Sequence, residues 1–429
     1  YKKQRYKKYI DSGVEWLGEI PEHWDLTRLG TRFKERKTKV SDKDFPPLSV
    51  TKNGTVPQLA NAAKSNDGDN RKLVKKGDFA INSRSDRKGS SGIAYQDGSV
   101  SLIYIVLEPL NIHPIYCNYL LKSYNFIEEF YRMGHGIVAD LWTTRYDEMK
   151  VIMVGIPPRN EQTKIAQFLD DKTTKIDEAI TIKQQQINLL KERKQILIHK
   201  AVTRGLNDTV KLIDSGVEWI GEIPEHWEVK KLKELCKAFG RIGFRGYTTS
   251  DLVNEGEGAI TISPSNIKEE FMTFKKCSYL SWKKYEESPE IQIFNNDVLI
   301  VKTGSTFGKI GIVKDLPQKA TINPQLLVLK EININSDYFY SALKTSMIQI
   351  QVQQEVIGST IPTISETKIL NFKMALPPKN EVEEIVLYLD DIREKFKTAI
   401  GLKQQEIDKL KEYKSSLING VVTGKIKVC

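Results

Sequence analysis

One stretch of this chain is written twice. Asp11–Trp24 reads DSGVEWLGEIPEHW and Asp214–Trp227 reads DSGVEWIGEIPEHW, with 13 of 14 positions identical and only Leu17/Ile220 differing. Self-similarity at so long a period limits the chain to an architecture of two like units. A second pair follows the first: Ile156–Glu161 is IPPRNE and Leu376–Glu381 is LPPKNE. The first pair is offset by 203 residues and the second by 220, so the second copy carries 17 extra residues between its two blocks.

Between the blocks the copies diverge, Leu26–Gly155 against Val229–Ala375. A faint common frame survives at an offset of 219, where GDFAINSRSDRKGSSGIAY from Gly77 aligns with NDVLIVKTGSTFGKIGIV from Asn296. Plain drift after duplication would not spare the mounts and scramble what they hold. The variable parts are therefore expected to carry a recognition that differs between copies.

Each P-P pair ends an extended segment, because proline fits the first turn of a helix and not its interior. A helix is expected from about Asn160 and from about Asn380, with Glu161 or Glu381 in the first turn. A heptad rhythm follows in both copies, through Ile176, Ile180, Ile187, Leu190 and Leu197, and through Phe396, Ile400, Ile407, Leu410 and Leu417. Lys183 and Lys194 in the first helix, and Lys403 and Lys414 in the second, sit at the same two seam positions. A lone amphipathic helix lying on a domain core would show a similar stripe, but its duplication at matched phase favours an antiparallel coiled coil. About 28 residues at ~1.5 Å each make a rod of roughly 42 Å, against ~34–36 Å for a turn of DNA.

The expected fold is α+β, with two mixed domains (1–155 and 207–375) joined by two long helical segments (156–206 and 376–429) under an internal pseudo-two-fold repeat. Ser99–Leu107, Val298–Val301 and Gln325–Leu329 read as strands, and Ile115–Phe130 and Tyr338–Gln353 as amphipathic helices.

The loops between these elements have a polar cast. Asn82, Ser83, Arg84, Arg87 and Lys88 lie in one, and Lys302, Thr303, Ser305, Thr306 and Lys309 in its counterpart. Thr51, Lys52 and Asn53 face Ser263, Ser265 and Asn266, and Thr143-Thr144-Arg145 faces Thr363-Ile364-Ser365. Arg presents a fork to guanine and Asn pairs with adenine, while Ser, Thr and backbone amides take phosphate. Any one of these is an ordinary solvated loop; their recurrence at matching places makes them candidate DNA contacts. A formal charge of +10, from 65 Lys+Arg against 55 Asp+Glu over 429 residues, leans the same way only weakly.

Other classes find little support. No apolar run reaches the ~18 residues of a membrane helix, and the basic start Lys2, Lys3, Arg5, Lys7, Lys8 has no apolar stretch behind it, so a cytoplasmic protein is expected. Cys117, Cys236, Cys277 and Cys429 form no C-x-x-C pair. Gly304–Lys309 hints at a phosphate loop, but it has three residues between its glycines and Ile310 where Ser or Thr should hold magnesium. His23 and His226 stand beside Trp24 and Trp227 with no nucleophile near them in sequence, which favours packing over catalysis.

The doubled G-V-E-W-[LI]-G-E-I-P-E-H-W, the [IL]-P-P-[RK]-N-E helix start and the K-Q-Q-x-I-x-x-L-K-E coil closing on Val202-Thr203-Arg204-Gly205 and Val422-Thr423-Gly424 resemble the specificity (S) subunit of type I restriction-modification systems. The resemblance covers essentially the whole chain. It implies two target-recognition domains, each reading half of a bipartite, asymmetric double-stranded DNA target, with helices that set the spacer and dock modification subunits. It implies no cofactor in this chain: S-adenosylmethionine, ATP and magnesium would act in the modification and restriction subunits. A scaffold holding two protein-binding domains is the alternative from a different class.

Overall fold

In a computed structural model of the chain, residues 4–52, 54–60, 68–136, 142–243, 246–269, 272–355 and 363–428 are described. Contacts divide it into two units, residues 1–185 with 403–429, and residues 186–402. The divisions fall inside two long helices, Arg159–Arg204 and Lys379–Val422. The first unit thus holds the start of the first helix and the end of the second, and the second unit the converse.

Within the first unit the two helix segments run antiparallel. Lys414 Nζ meets Asp177 at 2.6 Å and Lys183 pairs with Glu406, so partners descend on one helix as they ascend on the other. Of the residues read as a seam, Ile176, Ile187, Ile407 and Leu417 are buried, and Ile180, Leu190, Leu197, Phe396, Ile400 and Leu410 are half-buried. Both helices begin one residue earlier than expected, at Arg159 and Lys379. The carbonyl of Pro158 accepts the Glu161 and Gln162 amides, and Asn160 caps only the Glu161 amide from within the turn.

The twice-written block builds the same mount in each unit. Tyr9–Asp11 pairs with Glu19–Pro21, and Leu212–Asp214 with Glu222–Pro224. Asp11 and Asp214 each accept the amide of the glycine two residues on, Gly13 and Gly216, at 2.9 Å. Those glycines take φ of 65° and 67°, a region open to glycine without strain. The P-E-H-W and P-P-x-N-E blocks then meet. His23 Nε2 lies 2.8 Å from Glu161 Oε2, and Trp24 Nε1 donates to Glu161 at 3.2 Å. The second unit repeats this with His226 and Trp227 on Glu381, at 2.8 and 3.0 Å. The repeated histidines are thus structural: each ties the mount to the first turn of a long helix.

A four-stranded antiparallel sheet is the heart of each unit. In the first its order is Ser91–Ile93, Phe79–Asn82, Tyr104–Pro109, Phe33–Glu35; in the second it is Ile310–Ile312, Val298–Val301, Leu326–Lys330, Lys237–Gly240. Strand alternation sends Phe79, Ile81, Ile105 and Leu107 into the core under a helix pair. It sends Ala80, Val106 and Tyr104 to the other face, against Leu48, Val50, Val74 and Val100. The second unit divides Val298/Ile300 from Leu299/Val301 in the same way.

Three elements differ from the sequence expectation. Ser99–Leu107 is two strands, Gly98–Val100 and Tyr104–Pro109, in different sheets, parted by a turn closed by the Tyr104 amide on the Ser101 carbonyl. Ile115–Phe130 is two helices, Pro114–Lys122 and Tyr124–Arg132, and Tyr338–Gln353 lies in Ser336–Leu343 and Ser346–Gln354. The break comes at Ser123 and at Thr345, whose extended backbone leaves the helix and whose hydroxyls turn back on the carbonyls of Leu120 and Ala342, each at 2.7 Å. Among the described residues no helix is long and apolar enough to cross a membrane.

Candidate nucleic-acid interface

In the first unit, strand Phe79–Asn82 runs into the loop that carries Ser83, Arg84, Arg87 and Lys88, while the hairpin Leu48–Thr51/Gly54–Pro57 presents Thr51 and Lys52. These segments converge. Thr51, Lys52, Asn82, Arg84 and Arg87 line one cleft of about 650 Å³. The third segment is tied to the same loop: Arg84 and Thr143 form a β-bridge, the Thr144 amide donates to the Ser83 carbonyl at 2.9 Å, and the Ser85 amide donates to Trp142 at 3.1 Å.

The candidate residues of this unit differ in what they offer a ligand. Lys52, Arg84, Arg87 and Arg145 are exposed. Ser83 is buried and occupied with backbone pairing. Lys88 turns away from the cleft, its Nζ 2.6 Å from Glu128 and over the Tyr131 ring. Asn82 is fully buried; its Oδ1 accepts the Arg84 amide at 2.9 Å, and its Nδ2 has no hydrogen-bond partner. Asn53 lies outside the described residues.

The second unit ties its loops at matching places. Thr303 bridges Thr363, as Arg84 bridges Thr143, and the Ile364 amide donates to the Lys302 carbonyl at 3.0 Å. Ser305 and Thr306 are exposed at the tip of their loop, and Ser263 Oγ and Ser265 Oγ lie 2.8 Å apart. Asn266 serves its own turn: its Oδ1 takes the Ser263 amide and hydroxyl at 2.9 Å, and its Nδ2 donates to Thr273 O at 3.1 Å. Lys309 likewise spends its ammonium on the Ile267 carbonyl at 2.5 Å. The glycine-flanked loop therefore directs its lysine at backbone. Among the described residues no cluster of His, Cys, Asp and Glu could hold a metal.

Two residues of the first cleft were not singled out by sequence. Arg71 lines it at 5 % exposure, with Nε on Ser99 Oγ at 2.8 Å and Nη2 on Ser99 O at 3.0 Å. Burial depresses its pKa, and Asp42 opposes that only through space. Tyr104, also in the wall, has its hydroxyl pKa raised by burial in spite of Arg87. Both lie in strands, where a polar side chain in an apolar run carries no loop-like signal.

The family model described as the type I restriction modification DNA specificity domain matches residues 224–412. The type I restriction enzyme MjaVIII specificity subunit of Methanocaldococcus jannaschii is 25 % identical over 427 residues, covering 95 % of this chain and 94 % of that protein. A chain from a solved structure described as the basis of complex assembly and conformational transition of the type I R-M system is similar with a TM-score of 0.67 at 15 % identity, over 94 % of this chain and 98 % of that one. The HsdS subunit from Thermoanaerobacter tengcongensis is similar with a TM-score of 0.50 at 15 % identity, over 95 % and 98 %. At such identities the two structural likenesses are of fold.

Proposed function

We propose, for a chain that belongs to the specificity-subunit family of type I restriction-modification systems, that its two variable domains, 1–155 and 207–375, each read one half of a bipartite, asymmetric DNA target. The long helices would set the spacer between the halves and dock modification subunits. The chain itself would be non-catalytic and cytoplasmic, leaving S-adenosylmethionine, ATP and magnesium to the modification and restriction subunits.

The observation that supports this reading is the convergence of three polar segments in the first unit, with the same tie between loops in the second, Arg84–Thr143 and Thr303–Thr363. Such a cluster of Arg, Lys, Ser, Thr and Asn can divide labour between phosphates and base edges. The variable residues sit on it while the mounts stay fixed, which suits two readers of different half-sites.

Methylation mapping tests the reading. In a host expressing the complete system, Arg84→Ala is expected to relax or abolish recognition of one half-site and leave the base preferences of the other unchanged. Equal change in both halves would sink independent reading by the two domains.

A further inference from the structure

The cleft of the first unit buries polar groups whose bonding capacity its fold leaves partly unused. Asn82 is fully buried and its Nδ2 makes no hydrogen bond. In the sheet register Asn82 stands opposite Tyr104, at the end of the central strand pair. The second unit has the same strand pair, and there Val301 stands opposite Leu326, both fully buried in an apolar cluster. The same sheet thus closes with two apolar residues where the first unit buries an amide and a phenol.

Arg71 completes the set. Its guanidinium is buried and donates to the neutral hydroxyl and carbonyl of Ser99, and among the described residues no carboxylate lies within ion-pair distance. Burying a charge against neutral partners, and an amide nitrogen against none, destabilises a free protein. Both costs are offset when a ligand brings anionic oxygen to the site. The rim points the same way, since among the described residues lining the cleft Lys52, Arg84 and Arg87 meet one carboxylate, Asp86.

We infer that the floor of this cleft, made by Arg71, Asn82 and Tyr104, seats a backbone phosphate of the DNA duplex, with Lys52, Arg84 and Arg87 drawing the strand in from the rim. The inference rests on the DNA-reading function proposed above and deepens it. Arg71 supplies the charge and Asn82 Nδ2 supplies a donor already stripped of water. A phosphate held this way fixes the register of the duplex against the loops, which leaves Arg84 free to address base edges. Tyr104, opposite Asn82 in the strand pair, is a positioning residue.

The test uses the full chain assembled with its modification subunits and the target duplex defined by methylation mapping. Arg71→Met and Asn82→Val remove the groups; the second installs the side chain the other unit already carries at that register. Arg71→Met is expected to melt no lower than wild type, and Asn82→Val, which also removes the acceptor of the Arg84 amide, to melt somewhat lower; both should bind the duplex about tenfold more weakly by fluorescence anisotropy. For Arg71→Met the slope of log affinity against log salt should fall by about 1, as loss of one phosphate contact requires. A scan of single methylphosphonates should find one position that weakens wild-type binding and leaves Arg71→Met unaffected.

Unchanged affinity in both variants, or weakening of Arg71→Met only in step with a lower melting temperature, overturns the phosphate seat. Coupling of Arg71 to a 7-deazapurine in place of a methylphosphonate also overturns it, since the ligand would then be a base. A wild-type complex with no salt-dependent DNA binding overturns the DNA reading itself, an outcome distinct from wild-type binding that the variants match.

Discussion

The mounts of the two units and the domains they hold have opposite histories of change. In the mounts, even individual contacts are duplicated: an aspartate on a glycine amide, and a histidine and a tryptophan on one glutamate. In the domains the strand order of the central sheet, the break in the helix pair, one turn and the positions of the loop ties persist while most side chains differ. A sheet tolerates exchange of nearly every side chain provided the alternation of apolar residues is kept. A three-way polar junction tolerates almost none, because each buried donor depends on a particular acceptor. This difference explains how contents can diverge while both copies remain one fold.

One pair of residues carries the comparison furthest. Asp78 and Asp297 close the same turn, accepting the amides of Lys75 and Phe294 at 2.9 and 2.8 Å. The residues before them, Gly77 and Asn296, both have positive φ. Asp78 is paired with Arg36 at 2.7 Å, with both side chains sheltered. Asp297 lacks such a partner among the described ion pairs, and burial pushes its pKa up to about 6 despite Lys330. Asp78→Ala leaves the Arg36 charge only the more exposed Glu108, at 3.3 Å, and is expected to cost the first unit about 2 kcal/mol.

Asp297→Asn keeps the acceptor and removes the buried charge, so it should stabilise the second unit at pH 7 by about 2 kcal/mol. The sign follows from the raised folded pKa. The stability Asp297 contributes is complete below its unfolded value, about 4, and is lost as pH rises through about 6. The gain from Asp297→Asn should therefore vanish at pH 4. Denaturation of both variants across that range checks the pair, and two changes of the same sign at pH 7 would erase the contrast.

The mounts should respond alike where the domains respond oppositely. Glu161→Gln and Glu381→Gln each leave a histidine and a tryptophan N–H with a weaker acceptor, and about 2 kcal/mol is expected from each. Glu161 also takes the Tyr6 hydroxyl, so its loss should be the larger by a few tenths of a kcal/mol to about 1 kcal/mol. Hydrogen exchange at the Trp24 and Trp227 amides gives each cost separately. A gap of more than ~2 kcal/mol would mean that the duplicated junctions are not energetically duplicated.

Much of this was legible in the sequence because it was written as repetition or period. The two-unit repeat and the long helices followed from repeated residues at fixed spacing. The turn at Gly77/Asn296 was already aligned by its G-D and N-D, since glycine and asparagine are the residues that tolerate positive φ. What escaped had no periodic signature. Ser123 and Thr345 break their helices with one hydroxyl while the apolar pattern runs on through the break. At the candidate interface, polarity marked Arg84 and Arg87, which are exposed, and equally Asn266 and Lys309, whose side chains are spent on the protein's own turn and backbone. Arg71 and Tyr104 lie in strands and reach the cleft only through tertiary structure.

The smallest effect is expected on the helices, where the copies agree and the polar seam residues can be weighed directly. Lys414 sits at a seam position and pairs with Asp177 at 2.6 Å, but Asp177 is more than half exposed. An ion pair so open to water contributes under about 1 kcal/mol. Against that stand the cost of a charge in an apolar seam and repulsion with Lys122, whose pKa is lowered by burial and then by Lys414. Lys414→Leu removes both penalties and extends the apolar seam beside Leu410 and Leu417, so it should raise the stability of the first unit by about 1 kcal/mol in urea. The same change removes a polar residue that restricts register. A stabilised variant that methylates targets with a broadened spacer would assign Lys414 to length control. A destabilisation of about 1 kcal/mol or more would instead show that the pair with Asp177 outweighs the seam.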